Sequence, residues 1–349
     1  MDKTEMLIQI YSEASNHLMG LIQALGDSPT KARKEQLLRQ VHGAIANLTD
    51  DSAQLSKDII VESYGMGSEV AIQQLNAQGV AKEIIEPTLK TVIHVRAVQE
   101  LVEETFYRIL EASEHMTEDA KDRIEEAIFR ANRRSLIEGI SRRQATKDAI
   151  VELNDRGITG MVAKNGARIP AEKYMANVIQ YHQRKAHVEG VVNRLIENKS
   201  DLVYINKVGI TCDQCAKYQG RVYSISGDDK RFPRLEKRPP YHGHCVHSAS
   251  AWVEEYQDDL DIKTAIIDSN KPFIDSRSEA NVKKYEEIQK EKSRKNETRK
   301  QWIRYKSRMP DLPDLKTFAS HKARNTKRYQ EWMEDFRKMG LEIKNRSIK

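Results

Sequence analysis

All three cysteines of this 349-residue chain fall within 34 positions, as Cys212-x-x-Cys215 and then, after 26 intervening residues, His242-x-x-Cys245. No other feature restricts the fold so strongly. An odd number of cysteines in a reducing compartment argues against a disulfide framework. Zinc, in contrast, is satisfied by four tetrahedral donors, and three thiolates with one imidazole form such a set. A C-x-x-C turn brings two sulfurs to one ion, and the H-x-x-C pair would supply the other corners from a second turn. His244 and His247 stand close enough in sequence to replace His242. Residues 211–250 contain few large apolar side chains. Metal binding, which contributes roughly 10–16 kcal/mol in zinc-finger peptides, would order a module without a core of its own.

The competing readings are weaker. Three buried thiols without metal need no further partner. A redox C-x-x-C belongs at a helix N-terminus, whereas Ala216-Lys217-Tyr218-Gln219-Gly220 leads toward a strand. A catalytic zinc needs an open position and a general base, and Glu236 is the only carboxylate between Asp229 and the second half of the motif. The expectation is a structural Zn2+ held by Cys212, Cys215, His242 and Cys245, with no catalytic residues.

Around this motif the sequence reads as an α+β chain that is predominantly α-helical. Charged residues make up 32% and aromatics 6%, a mix that suits solvated helices rather than a large β-sandwich. Residues 1–150 form an extended helical region. Met6, Ile10, Leu18, Leu21, Ile22 and Leu25 share helical spacing, and Ser28-Pro29 offers an N-cap and first-turn proline. Leu37, Leu38, Val41, Ile45 and Leu48 continue the pattern to Thr49-Asp50-Asp51, and Gly65, Gly67 and Gly79 punctuate the stretch beyond. Pro87 opens a helix along Val92, Val95, Val98 and Leu101, and Thr117-Glu118-Asp119 resembles the cap and acidic first turn of another.

Residues 151–255 read as a small α/β module. Asn154-Asp155-Arg156-Gly157, Gly160 and Gly166 mark tight turns, and Pro170 leads a long helix with Tyr174, Val178, Tyr181, Val188, Val192 and Leu195 on one face. Leu202–Ile205 and Arg221–Ile225 are strands, the second followed by a turn over Ser226–Asp229.

Residues 256–349 comprise a linker, 268–277, and a basic helical tail. From Asn281 onward there are 21 Lys and Arg against 10 Asp and Glu, so that this segment carries +11 although the whole chain carries only +6. A helix from Lys283 to Arg308 is closed by Pro310 and Pro313, and one last amphipathic helix runs through Phe318, Tyr329, Trp332, Met333 and Phe336. Lys292, Arg294, Lys295, Arg299, Lys300, Arg304, Lys306 and Arg308 are candidate phosphate contacts, giving salt-sensitive affinity for double-stranded DNA by counterion release. Interleaved Tyr285, Trp302 and Tyr305 could stack on single strands. A plain solvated helix face is the alternative. No stretch is apolar enough to span a membrane, and no signal peptide precedes the first helix, which points to the cytoplasm.

The string GITCDQCAKYQGRVYSISG at 209–227, followed by RPPYHGHCVHSASAW at 238–252, resembles the signature of the phage minor capsid (minor head) protein family. In that family a C-x-x-C, a Gln-Gly-[Arg/Lys]-Val-Tyr strand and a proline-flanked H-x-x-C recur. The preceding LNDRGITGMVAKNGARIPAEKYMANVIQYHQRKAHVEG, 153–190, is similar to the stretch before that signature. The likeness covers roughly 148–253. Family members often have Arg directly after the final cysteine, where this chain has Val246-His247, so no role for that Arg carries over.

The resemblance implies a non-enzymatic structural component of a tailed-phage virion, assembled in the host cytoplasm. It would act at or near the portal in procapsid assembly or genome packaging and delivery. Its partners would be portal and major head or scaffolding proteins, with DNA binding alongside. Two other classes compete. A zinc-stapled ββα-metal nuclease would need a His and Asn pair around a second metal, and no Asn lies between Ser226 and Val253. A cellular zinc-ribbon DNA-binding protein would have no link to phage particles.

Overall fold

The computed structural model describes residues 2–346 apart from 28–29, 81–84, 86–87, 140, 154–156, 275–278 and 310. The expected Ser28-Pro29 cap, the Pro87 helix start, the Asn154-Asp155-Arg156 turn and the Pro310 stop lie outside the described residues. Helices dominate: α1 (Lys3–Ala24), α2 (Lys31–Ala77), α3 (Val92–Glu138), α4 (Arg142–Leu153), α5 (Ala171–Glu197), α6 (Asp213–Ala216), α7 (Asp259–Asn270), α8 (Glu279–Arg308), α9 (Leu315–Ala323) and α10 (Lys327–Arg346). The strands are short: β1 (Thr159–Val162), β2 (Arg168–Pro170), β3 (Leu202–Ile205), β4 (Arg221–Ser224) and β5 (Ala249–Ala251). The α+β, mostly helical class read from the sequence is the class observed.

Two of the expected helix boundaries do not exist. Residues Thr49-Asp50-Asp51 lie inside α2, and Thr117-Glu118-Asp119 lie inside α3. Both threonines satisfy their hydroxyls against the preceding turn instead of capping. Thr49 donates to the Ile45 carbonyl at 2.8 Å and Thr117 to the Ser113 carbonyl at 2.9 Å. The actual end of α2 is Gly79, whose φ of +82° admits the left-handed closure in which the Val80 N–H reaches back to the Leu75 carbonyl at 3.0 Å. Near the C-terminus, the single expected helix is two, α9 and α10. Asp314 caps α9 by accepting from the Thr317 N–H at 2.8 Å, and Asn325, at φ +46°, separates the pair. Residues 268–270, expected in a linker, form the last turn of α7.

The chain forms two compact units, residues 1–55 with 106–177 and 293–349, and residues 56–105 with 178–292. In the first, helical stripes Leu7, Tyr11, Leu18 and Ile22 on α1 and Leu37, Val41, Ile45 and Leu48 on α2 are buried, and α10 packs on α1. The antiparallel hairpin β1–β2 is tied to α3 by Asp119, which accepts from the Thr159 N–H at 2.9 Å and pairs with Arg123 and Arg168, both at 2.8 Å. Residues Tyr305, Met309 and Leu312 of the α8 end and its exit join Phe318, Tyr329 and Trp332 in an aromatic-rich cluster.

The second unit carries the candidate site. Its sheet, ordered β4-β3-β5, is antiparallel throughout, with Val203 opposite both Tyr223 and Ala251. The period of two along β3 sends Val203 and Ile205 to one face, against Ala71 and Leu75 of α2 and Val188, Val191, Val192 and Leu195 of α5. It sends Leu202 and Tyr204 to the other, with Val222, Phe232, Trp252 and the α7 residues Ala265 and Ile266. Helices α2 and α5 approach backbone to backbone: a Cβ on Gly67 would lie 1.9 Å from the His187 carbonyl oxygen, and one on Gly190 would lie 2.1 Å from that of Tyr64. Gly67, read from the sequence as punctuation, is therefore a crossing point.

Candidate metal centre

The loops at the open end of this sheet bring the cysteines together. After β3 the chain reaches Cys212, which N-caps the one-turn helix α6, its sulfur accepting from the Cys215 N–H at 3.4 Å. The C-x-x-C therefore does begin a helix, contrary to the reading that Ala216–Gly220 precluded one. That helix lasts a single turn before Gly220, at φ +71°, turns the chain into β4. On the way into β5, His242 and Cys245 form the second corner, closed by the Cys245 N–H donating to the His242 carbonyl at 2.9 Å.

Two overlapping groups of donors result, Cys212 with Cys215 and His242, and Cys215 with Cys245 and His247, the donor atoms within each lying no more than 4.8 Å apart. His242 Nε2 is 3.2 Å from the sulfurs of both Cys212 and Cys215. The Cys215 and Cys245 sulfurs are 3.7 Å apart, and His247 Nδ1 is 3.6 Å from Cys245 Sγ. Of the four residues expected from the sequence, Cys212, Cys215 and His242 share one group, whereas Cys245 stands with Cys215 and His247, the latter weighed only as a substitute. His244 is exposed and belongs to neither group.

The donor set suits a thiophilic ion. Cys215 donates its S–H to Cys245, so its thiol is pushed up, first by that bond and then by burial. Cys245 is drawn down by the same bond, against the opposing effect of its burial. One thiolate thus forms readily, and a metal would displace the remaining protons. Tetrahedral zinc with thiolate and imidazole donors fits these residues.

Residues that sequence reasoning missed surround the sulfurs. Gln219 Oε1 accepts from the Val208 N–H at 2.9 Å and lies 3.0 Å from His247 Nε2. The His244 N–H donates to His242 Nδ1 at 3.2 Å. Arg184 of α5 donates to the Cys245 carbonyl at 3.2 Å. Tyr218 and Tyr241 stack with centroids 4.3 Å apart beside His247. The Tyr285 hydroxyl, on the first turns of α8, is pushed up to about 12, chiefly by burial and then by the neighbouring sulfurs, Cys212 first among them. None of these types signals a metal site at any fixed spacing. Only the YQGRVY string hints that the flanking residues are committed.

The basic residues lie on α8 as expected, although the side chains of Lys292, Lys300, Arg304 and Arg308 are outside the described residues. Arg294 and Lys295 are exposed. Arg299 pairs with Glu5 and Asp2, and Lys306 donates to the Leu312 carbonyl. The aromatics interleaved with them are engaged internally. Tyr305 is in the aromatic cluster, Trp302 donates to the Pro313 carbonyl at 2.8 Å, and Tyr285 faces Cys212. Base stacking by Trp302 or Tyr305 is thus at odds with their packing.

Comparison with known proteins gives one family. A family model described as phage minor capsid protein 2 matches residues 30–337. No curated protein and no solved structure matches the chain. No helix among the described residues is long and apolar enough to cross a membrane.

Proposed function

Since the chain belongs to the phage minor capsid protein 2 family, we propose that it is a non-enzymatic, zinc-stapled structural protein acting at or near the portal of a tailed-phage head, in procapsid assembly and in genome packaging or delivery. Membership itself implies a place in the virion and other head proteins as partners. The observation that supports the zinc-stapled part of this reading is the pair of overlapping groups, Cys212, Cys215 and His242 with Cys215, Cys245 and His247, at one corner of a small sheet in the family-matched region. Three thiolates and an imidazole fill a tetrahedral zinc and leave no position for a reacting water. When bound, the ion supplies a crosslink between the loop after β3 and the loop before β5. Cys212 and Cys215 would hold it from the first loop, Cys245 and a histidine from the second. Arg184 and Tyr285 would hold those loops against α5 and α8.

Procapsids isolated with and without portal protein test the placement. Retention of this chain only on portal-containing particles is the expected result, and its absence from both kinds refutes a head role. The exposed part of α8 further supports contact with packaged DNA, the Lys and Arg side chains neutralising phosphates without reading sequence. Binding to unrelated duplexes should fall steeply with salt, and a salt-independent or absent interaction would remove DNA from the reading.

A further inference from the structure

Which histidine completes the site is a question that rests on the metal reading above, and the answer comes from which ring nitrogen carries a hydrogen. A neutral imidazole has one N–H and one bare nitrogen, and only the bare one can bind a metal. The Val208 backbone N–H, a donor that cannot reverse its role, points at Gln219 and identifies the atom there as the amide oxygen. His247 Nε2 shares that same oxygen at 3.0 Å and must carry a hydrogen to do so. His247 Nδ1 is therefore bare, and it is Nδ1 that faces Cys245.

His242 is arranged the opposite way. Its Nδ1 accepts the His244 backbone N–H at 3.2 Å, so the hydrogen resides on Nε2, the atom directed at Cys212 and Cys215. A bound zinc at Nε2 would move that hydrogen to Nδ1, where it would confront the His244 N–H.

Two edges on the His247 side agree with the hydrogens, while Cys212 belongs to the other group and would have to draw in toward Cys245 and His247 to close the fourth corner. With Zn–S near 2.3 Å and Zn–N near 2.0–2.1 Å, the edges of a tetrahedron are about 3.8 Å between sulfurs and about 3.6 Å between sulfur and nitrogen. Cys215 to Cys245 is 3.7 Å and Cys245 to His247 Nδ1 is 3.6 Å. The two 3.2 Å contacts of His242 are shorter than such an edge and suit an N–H shared between two sulfurs. Burial points the same way, with His247 only 4% exposed and His242 more open.

We infer that the metal is held by Cys212, Cys215, Cys245 and His247 Nδ1, and that His242 is a positioning residue whose Nε2–H donates to the Cys212 and Cys215 thiolates. The ligand pattern is then C-x-x-C with C-x-H, and Gln219 sets the tautomer of the ligating ring, as outer partners of metal-bound histidines do. Three thiolates leave excess negative charge on a divalent ion, and an N–H donor beside two of them offsets it.

The test uses the full chain loaded with one equivalent of zinc and labelled with ¹⁵N-histidine. The nitrogen shifts should show His247 bound through Nδ1 with a proton on Nε2, and His242 bound through neither nitrogen. In parallel, His242→Gln should keep one tightly bound zinc, with affinity reduced by about 10–100-fold as for an outer partner. His247→Gln should lose stoichiometric binding and the thiolate-to-metal absorption of the cobalt form. Should His247→Gln fail to fold, the nitrogen shifts and His242→Gln still decide. A metal-bound Nε2 on His242, or loss of zinc from His242→Gln with retention in His247→Gln, overturns the assignment while sparing the metal centre. A wild-type chain that binds no metal overturns both.

Discussion

Replacing Gly67 or Gly190 by alanine should destabilise the second unit, although both glycines lie within helices, where alanine is ordinarily the better residue by about 0.8–1.0 kcal/mol. The reversal follows from the α2–α5 crossing. A new Cβ on Gly67 would stand 1.9 Å from the His187 carbonyl oxygen, and one on Gly190 would stand 2.1 Å from that of Tyr64. Ordinary contact begins at 3.4 Å, so each falls short by more than an ångström. Both obstacles are backbone atoms of a packed helix, so no side chain can rotate away and the helices must separate. Overpacking of this kind costs about 1–3 kcal/mol. Taking the upper end and subtracting the helix gain leaves a loss of about 2 kcal/mol for each variant, a factor of roughly 30 in the local opening constant. Gly43 provides the control. It sits in the same helix as Gly67, exposed, with nothing within 4 Å of the methyl group that alanine would add. Gly43→Ala should be stabilising by up to about 1 kcal/mol. Hydrogen exchange at amides around Tyr64 and Val191 reads the local cost, and urea denaturation followed by circular dichroism reads the global one. Equal or greater protection in Gly67→Ala and Gly190→Ala would show that the helices are not in backbone contact, and the reasoning would fail.

Three other outcomes are expected. His94 is buried between the Tyr64 hydroxyl at 2.7 Å and Glu197 at 2.9 Å, near Arg194, and burial lowers its pKa. Acid therefore favours the unfolded chain: stability from this group is intact above the unfolded value of about 6.5 and is lost as pH falls below it. Urea midpoints at pH 7.5 and 5.0 should differ less in His94→Gln than in the wild type, and an unchanged difference would clear His94 of the effect. Asp119→Ala should destabilise the first unit by about 3–5 kcal/mol, since it removes the carboxylate that balances the charge of the buried Arg123, which keeps only the Leu153 and Gly157 carbonyls and the Met19 sulfur, and it frees Arg168 and the Thr159 N–H; a loss below about 1 kcal/mol in denaturant titration would contradict the buried pairing. Chelating the metal should abolish exchange protection in residues 206–219 and 236–248 while Val203 and Ile205, packed on Val191 and Leu195, keep theirs. Uniform loss across the sheet, or none at all, would count against a local staple.

Much of the Cys/His corner could be read from residue types alone, because three cysteines and a histidine at such spacings are the donor types that a metal site uses. The strand Leu202–Ile205, the Arg221 strand and the helix after Pro170 were likewise legible, each marked by its own periodicity or by proline. Helix lengths were not. A threonine followed by acidic residues caps a helix only when the backbone leaves helical geometry there, and at Thr49 and Thr117 the hydroxyl finds the carbonyl one turn back. Gly67 resembled a break because its partner, the α5 backbone at His187, lies more than a hundred residues away. The choice between His242 and His247 depends on Gln219 and Val208, ordinary residues whose role exists only once β3 and β4 have paired.

Each of the four passages of the chain between its two compact units, at 55/56, 105/106, 177/178 and 292/293, occurs within a helix: α2, α3, α5 and α8. No single cut therefore releases an intact half. A fragment library or a genetic crossover with a breakpoint inside residues 56–292 leaves pieces of both bodies on each side and the whole of neither. Recombinant relatives joined inside that span should therefore be rarer than those joined before residue 56 or after residue 292.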